Sequence, residues 1–75
     1  MQTLGEILFD ARLRRQLSIR AAAKRVGMSH SSLADHENDA VRDVTVSNLD
    51  LFAKGYRLSM VRLVTAALEN GRKKR

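Results

Sequence analysis

The 75-residue chain carries 14 Lys and Arg against 8 Asp and Glu, a formal net charge of +6, and contains no cysteine. A chain this short forms one small domain that buries roughly 60% of the surface its unfolded form would expose, which leaves no room for a separate catalytic domain. With no disulfide or thiolate metal site available, hydrophobic packing must suffice; Glu6 and Asp10 interrupt the apolar N-terminus, so it reads as neither a secretory signal nor a membrane span, and a cytoplasmic, nucleoid-associated protein is expected.

In chain order, Thr3 followed by Glu6 matches a capping box, and Leu4, Leu8 and Ala11 make an apolar stripe, predicting a first helix from about Leu4 to Gln16. Ser18 stands where an N-cap is wanted, and Ile19, Ala22, Ala23 and Val26 follow at helical spacing. Gly27 then permits a left-handed reversal, Met28 can tuck beneath the turn, and Ser29 supplies the cap of a third helix beginning near His30 and ending at Glu37. Two short helices joined by a tight turn, the second opening on small polar side chains, outline a helix-turn-helix. The segment from Asn38 to Thr45 has no period; Val44-Thr45-Val46 alone would pass for a minimal strand and is read as loop. Ser47 is the expected cap of a fourth helix presenting Leu49, Phe52, Ala53 and Tyr56, with Gly55 weakening its end. Ser59 is the expected cap of a fifth presenting Met60, Leu63, Val64 and Ala67, closed by Gly71. The organisation is therefore all-α, with a domain over residues 1–70 and a basic disordered tail over 71–75.

Charge is more instructive by position than by total. Four of the 14 basic residues form the terminal Arg72 to Arg75, leaving 10 against 8 for the body. Arg12, Arg14, Arg15, Arg20, Lys24 and Arg25 make an acid-free block, followed by Asp35, Glu37, Asp39, Asp43 and Asp50 with Arg42 alone among them. One face is expected to attract phosphate and its neighbour to repel it, although a charge run is also what an ordinary solvated surface looks like. His30 and His36 lie about 240° apart around a helix and cannot share a metal on one face. Neither metal nor cofactor is expected. Nor is an enzyme, since no nucleophile has a placed base and no phosphate loop is present.

Leu4-Gly5, Leu8, Ala11-Arg12, Leu17-Ser18, Ala23-Lys24-Arg25-Val26-Gly27, Ser29, Ser32-Leu33, Glu37-Asn38, Leu49, Ala53, Leu58-Ser59 and Leu63 together resemble the phage repressor and Cro-like helix-turn-helix family, the XRE family, over about residues 3 to 68. The resemblance implies a compact five-helix bundle of the phage-repressor type with a central helix-turn-helix. It also implies a transcriptional regulator whose third helix enters the major groove of double-stranded DNA, as a homodimer on a palindromic operator. On the family's motif, His30, Ser31 and Asp35 face base edges, while Arg20, Ser29, Ser32, Asn38 and Arg42 lie near phosphates. The family's pairing of an arginine late in helix one with the glutamate ending the third helix falls on Arg12 and Glu37. His36 falls where the family places a large apolar residue, implying a half-buried structural imidazole at the core edge.

The sequence departs from that pattern at Ile19 for a glutamine and at Asp39 for a glycine, which removes two phosphate contacts. Ala22 stands in place of a leucine, so Phe9 or Tyr56 must fill the volume. Asp35 can accept from a cytosine amine while being repelled by every nearby phosphate. On the fifth helix Val61, Thr65 and Leu68 make a second stripe, the expected dimer seam. The alternative is a protein-binding module, an antitoxin or transcription-machinery adaptor, using the acidic Asp35 to Asp43 region.

Overall fold

The computed structural model describes residues 2–73, with side chains as far as residue 69. Its described residues form five helices and no strand: α1 Leu4–Arg14, α2 Ile19–Val26, α3 His30–Glu37, α4 Val46–Tyr56 and α5 Met60–Lys73. None of these helices is long and apolar enough to cross a membrane.

Side-chain caps start the helices. The Thr3 hydroxyl accepts from the Glu6 amide at 3.2 Å while the Glu6 carboxylate accepts from the Thr3 amide at 2.8 Å, so the capping box closes reciprocally. Ser18 and Ser29 each accept from the amide three residues on, at 3.1 Å. The cap of α4 is Thr45, whose hydroxyl accepts from the Asn48 amide at 3.1 Å, and not Ser47, which lies inside the first turn. Val46 explains the displacement: it is 70% exposed, so of the two valines flanking Thr45 only Val44 packs on the core. At the other end of α1 the helix stops at Arg14, short of the expected Gln16. Gln16 is itself left-handed at φ 54°, and its amide and that of Leu17 bond back to the Leu13 and Arg12 carbonyls. Helix α5 does not close at Gly71 but runs on to Lys73; the remainder of the expected tail, Lys74 and Arg75, lies outside the described residues.

The core is assembled from all five helices, with Leu4, Leu8, Leu33, Phe52, Tyr56 and Leu63 fully buried. Ala22 is also sealed from solvent, and of the two rings expected to fill the volume, Phe9 and Tyr56, it is Tyr56 that lies in the interior. Phe9 stays 44% exposed on the outside of α1, its ring beneath the Arg12 guanidinium at 5.2 Å, and does not fill the core. Gly55, expected only to weaken α4, is where α2 and α4 meet: a Cβ there would stand 2.5 Å from Val26 Cγ1 and 3.1 Å from its Cα. The same contact is tied by Arg25, whose Nε donates to the Gly55 carbonyl at 2.8 Å.

Tyr56 carries an unresolved polar group. Its hydroxyl is buried without a hydrogen-bond partner among the described residues, and the Arg15 guanidinium stacks on its ring at 5.5 Å. Burial pushes the phenol's pKa upward, with the Glu37 carboxylate adding to the effect and Arg12, Arg15 and Arg25 opposing it. A group whose folded pKa is raised contributes stability fully present below its unfolded value near 10, and loses it as pH climbs from there towards the folded value. Tyr56→Phe should therefore leave neutral-pH stability unchanged or raise it by up to about 1 kcal/mol, and should flatten the loss of stability above about pH 10. Urea titrations of both proteins across that pH range check it.

Candidate functional site

Helices α2 and α3 are joined by a turn of three residues whose geometry follows from Gly27. Its φ of 89° is left-handed, and the Gly27 and Met28 amides both return to the Ala23 carbonyl at 2.8 and 3.0 Å. Met28 is half-buried against the core, and Ser29 in extended conformation opens α3. Two faces of α3 then differ sharply. Leu33 is fully buried and His36 is 3% exposed, its Nδ1–H donating to the Ser32 carbonyl at 2.7 Å and its ring edge-on to Phe52 at 5.1 Å. His36 is thus inside the core, deeper than the half-buried edge the resemblance implies, and its other nitrogen finds no partner among the described residues. On the opposite side His30, Ser31 and Asp35 are exposed, as are Ser29 before them and Asn38 after. The side chains of His30, Ser31 and Asp35 bond to nothing among the described residues. Ser31, Asp35 and Asn38 recur at i, i+4 and i+7, which puts them on one ridge.

The far end of α3 is fixed to both ends of α1. Arg12 donates from Nε and Nη2 to the two Glu37 carboxylate oxygens at 2.8 and 3.1 Å, and from Nη1 to the Leu17 carbonyl at 3.0 Å. The side chains are 15% and 8% exposed, and Arg12 holds its proton more tightly than an ordinary guanidinium because of the Glu37 bond, with burial working the other way. Two residues on, Asp39 sits left-handed at φ 55° with its carboxylate on the start of α1. It accepts from the Gly5 amide at 2.8 Å and the Thr3 hydroxyl at 2.6 Å. Gly5 has no room for a side chain there, since a Cβ would meet the Glu37 carbonyl and the Asp39 carboxylate. In the sequence Asp39 reads as a lost phosphate contact and as part of the acidic run, and not as a helix cap. The signal that identifies it is the first turn of α1, whose amides have no intrahelical acceptor; the Asp39 carboxylate satisfies that of Gly5.

Half of the basic block is engaged within the fold. Arg12 is bound to Glu37; Arg15 donates to the Ala11 and Tyr56 carbonyls, and Arg25 to that of Gly55. Arg14, Arg20 and Lys24 keep their side chains free of hydrogen bonds and ion pairs among the described residues. The acidic run divides likewise: Glu37 and Asp39 are engaged within the fold, Asp50 pairs with Lys54 at 3.1 Å, and Asp35 and Asp43 stand exposed. Arg20 and Arg42 are exposed near the two ends of the α2–α3 unit, and Ser32 is half-buried. Val61 and Leu68 on α5 are 76% and 62% exposed, with Thr65 exposed between them.

The model of the helix-turn-helix domain family matches residues 3–68, and the chain belongs to that family. No curated protein and no solved structure matches the chain.

The Arg12–Glu37 bridge has a measurable consequence, because removing one partner strands the other charge at a largely buried site. Glu37→Ala should cost on the order of 3 kcal/mol, a fall in Tm of roughly 10–20 °C for a domain of this size. Asp43→Ala, which removes an exposed carboxylate, should change Tm by no more than about 2 °C. Thermal melts of the two variants check the contrast, and equal small effects would contradict it.

Proposed function

We propose that this helix-turn-helix chain is a sequence-specific regulator of transcription that binds duplex DNA as a homodimer on a palindromic operator, with α3 in the major groove. The sidedness of α3 carries the reading. Leu33 and His36 hold one face in the core while His30, Ser31 and Asp35 stand in water with no partner among the described residues. A major groove about 12 Å wide admits one helix, and short side chains at its leading turn allow close approach. In this arrangement His30, Ser31 and Asp35 read base edges. Arg20, Ser29, Ser32, Asn38 and Arg42 lie against phosphates, which set register without carrying sequence information. Asp35 is the selective member: it accepts from a cytosine N4 amine and meets repulsion from the backbone everywhere else.

The dimer seam in this reading is the α5 stripe of Val61, Thr65 and Leu68. It gains area from its neighbours, since Leu68 and Val64 share an open groove with Val44 and the exposed Val46. Two-fold pairing through α5 would present two copies of α3 to successive major grooves.

Selection from random-sequence duplexes at several salt concentrations tests the proposal. A regulator enriches a palindrome with half-sites about one helical turn apart and loses affinity steeply with salt. Recovery of no motif, together with a stoichiometric basic protein partner bound through Asp35 and Asp43, would establish the protein-binding role instead. Arg20→Gln should weaken all duplexes alike and lower the salt slope by about 1, whereas Asp35→Asn should relax the preference at one base pair of each half-site and tighten non-specific binding. Leu68→Glu should leave the fold intact and shift sedimentation towards the monomer; an unchanged sedimentation profile would remove α5 as the seam.

A further inference from the structure

An open cavity of about 220 Å³ lies between α1, the turn from α4 to α5 and the first turn of α5, and it gathers four arginines, Arg14, Arg15, Arg57 and Arg62, against one acid, Asp10. No residue of α2 or α3 lines it, so it is separate from the outer face of α3. Two of the arginines are held in place. Arg15 is fixed by the Ala11 and Tyr56 carbonyls and by stacking on the Tyr56 ring, and Arg62 donates to the Gln2 side-chain oxygen at 3.0 Å. Gln2 in turn donates to Asp10 at 2.7 Å, which occupies the one carboxylate at the rim. The other two, Arg14 and Arg57, have no hydrogen-bond or ion-pair partner among the described residues. Arginines lining one depression repel each other, and each guanidinium carries five donors in a fixed fork. A multiply charged acceptor would offset that repulsion.

We propose that this cavity binds a compact polyphosphate anion of the pyrophosphate class. A planar guanidinium fork matches the oxygens of a phosphate bidentately, and several forks facing one centre match an anion with more than one phosphate. The volume sets the size. Sites for drug-sized molecules run from about 300 Å³ upward, so this one holds the phosphate groups and leaves a larger organic body outside. Phosphate chemistry also exists in the DNA backbone; the absence of α2 and α3 from the lining favours the free ion, and the two sources separate by experiment.

The test is an NMR titration of the isotopically labelled full chain with sodium pyrophosphate at constant ionic strength. Saturable shifts should be confined to amides around Arg14, Arg15, Arg57 and Arg62. The double variant Arg14→Gln with Arg57→Gly should weaken binding more than about tenfold, by loss of two sets of charge-assisted hydrogen bonds. Arg57 is left-handed at φ 55°, a conformation that suits glycine, so this variant should melt no lower than the parent. Should it fail to fold, Arg14→Gln alone should show the same direction of loss. A second double variant, Lys24→Gln with Lys54→Gln, removes the same charge at exposed positions outside the cavity and should bind pyrophosphate as the parent does. Equal weakening by both double variants would overturn the proposal by reducing it to diffuse charge, as would shifts that never saturate. Movement of the same amides by a random-sequence duplex but not by pyrophosphate would make the cavity a contact for the DNA backbone and overturn it equally.

Discussion

The angle at which α3 leaves the domain depends on two carboxylates at its C-terminal end, Glu37 and Asp39. One binds Arg12 in the last turn of α1; the other binds Thr3 and Gly5 at its start. Gly5 and Arg12 are seven residues apart, about 10 Å along a helix, so α3 meets α1 at two separated points. A single bridge would leave it free to pivot. Two fix both position and direction, and Gly5 lets the chain lie close enough for both to form. The same arginine reaches the Leu17 carbonyl, so the bridge that orients α3 also fixes the turn into α2. Helix α3 is thus held at its entry by the Gly27 turn and at its exit by α1.

This clamp changes what the charged residues mean. Read as a string, the chain has a basic block beside an acidic one, and such a pattern invites a picture of opposed electrostatic faces. In the folded chain Arg12, Arg15 and Arg25 donate to internal acceptors, and Glu37 and Asp39 accept internally. The Arg12–Glu37 pair cancels at short range and in partial burial, whereas Arg15 and Arg25, bonded to neutral carbonyls, keep their charge but are fixed in direction. What remains outside is sparser and better placed: Arg20 and Arg42 towards the ends of the α2–α3 unit, Asp35 between them on α3, and Arg14 with Arg57 at the α1–α5 cavity.

Much of the architecture was legible in the sequence because caps and periodicity are local. Thr3 with Glu6, Ser18, Gly27 and Ser29 each act on amides within four residues, and the apolar stripes of α1, α2, α4 and α5 repeat at helical spacing. The misplacements have the same origin in reverse. Valines on both sides of Thr45 disguise a helix start as a short extended run, so the pattern points to Ser47 instead. Helix α1 was drawn too long because nothing in Arg15-Gln16 announces a left-handed residue without glycine. The long-range pairs were harder still. That Asp39 would cap a helix thirty-four positions earlier, or that Gly55 would be the contact for Val26, follows from how helices pack and has no signature within either segment. His36 shows how a resemblance and a packing argument differ: the family's pattern pointed to the core edge, while the Phe52 ring and the Ser32 carbonyl take the imidazole fully inside.

The outer edge of α3 follows from the clamp by contrast. Ordering a side chain on a ligand costs rotamer entropy that grows with its length, from little for serine to about 2 kcal/mol for lysine or arginine. In the proposed role, a reading helix made of His30, Ser31 and Asp35 would keep that cost low at each contact, while the larger cost of orienting the helix is met in advance by Glu37 and Asp39. Short side chains also reach little distance, so they discriminate only when the backbone carrying them is held to a fraction of an ångström. Rigidity at one end of α3 and brevity at the other are therefore two halves of one requirement. Loosening the clamp should erode discrimination between duplexes before it erodes affinity, because phosphate contacts tolerate displacement that base-edge contacts do not.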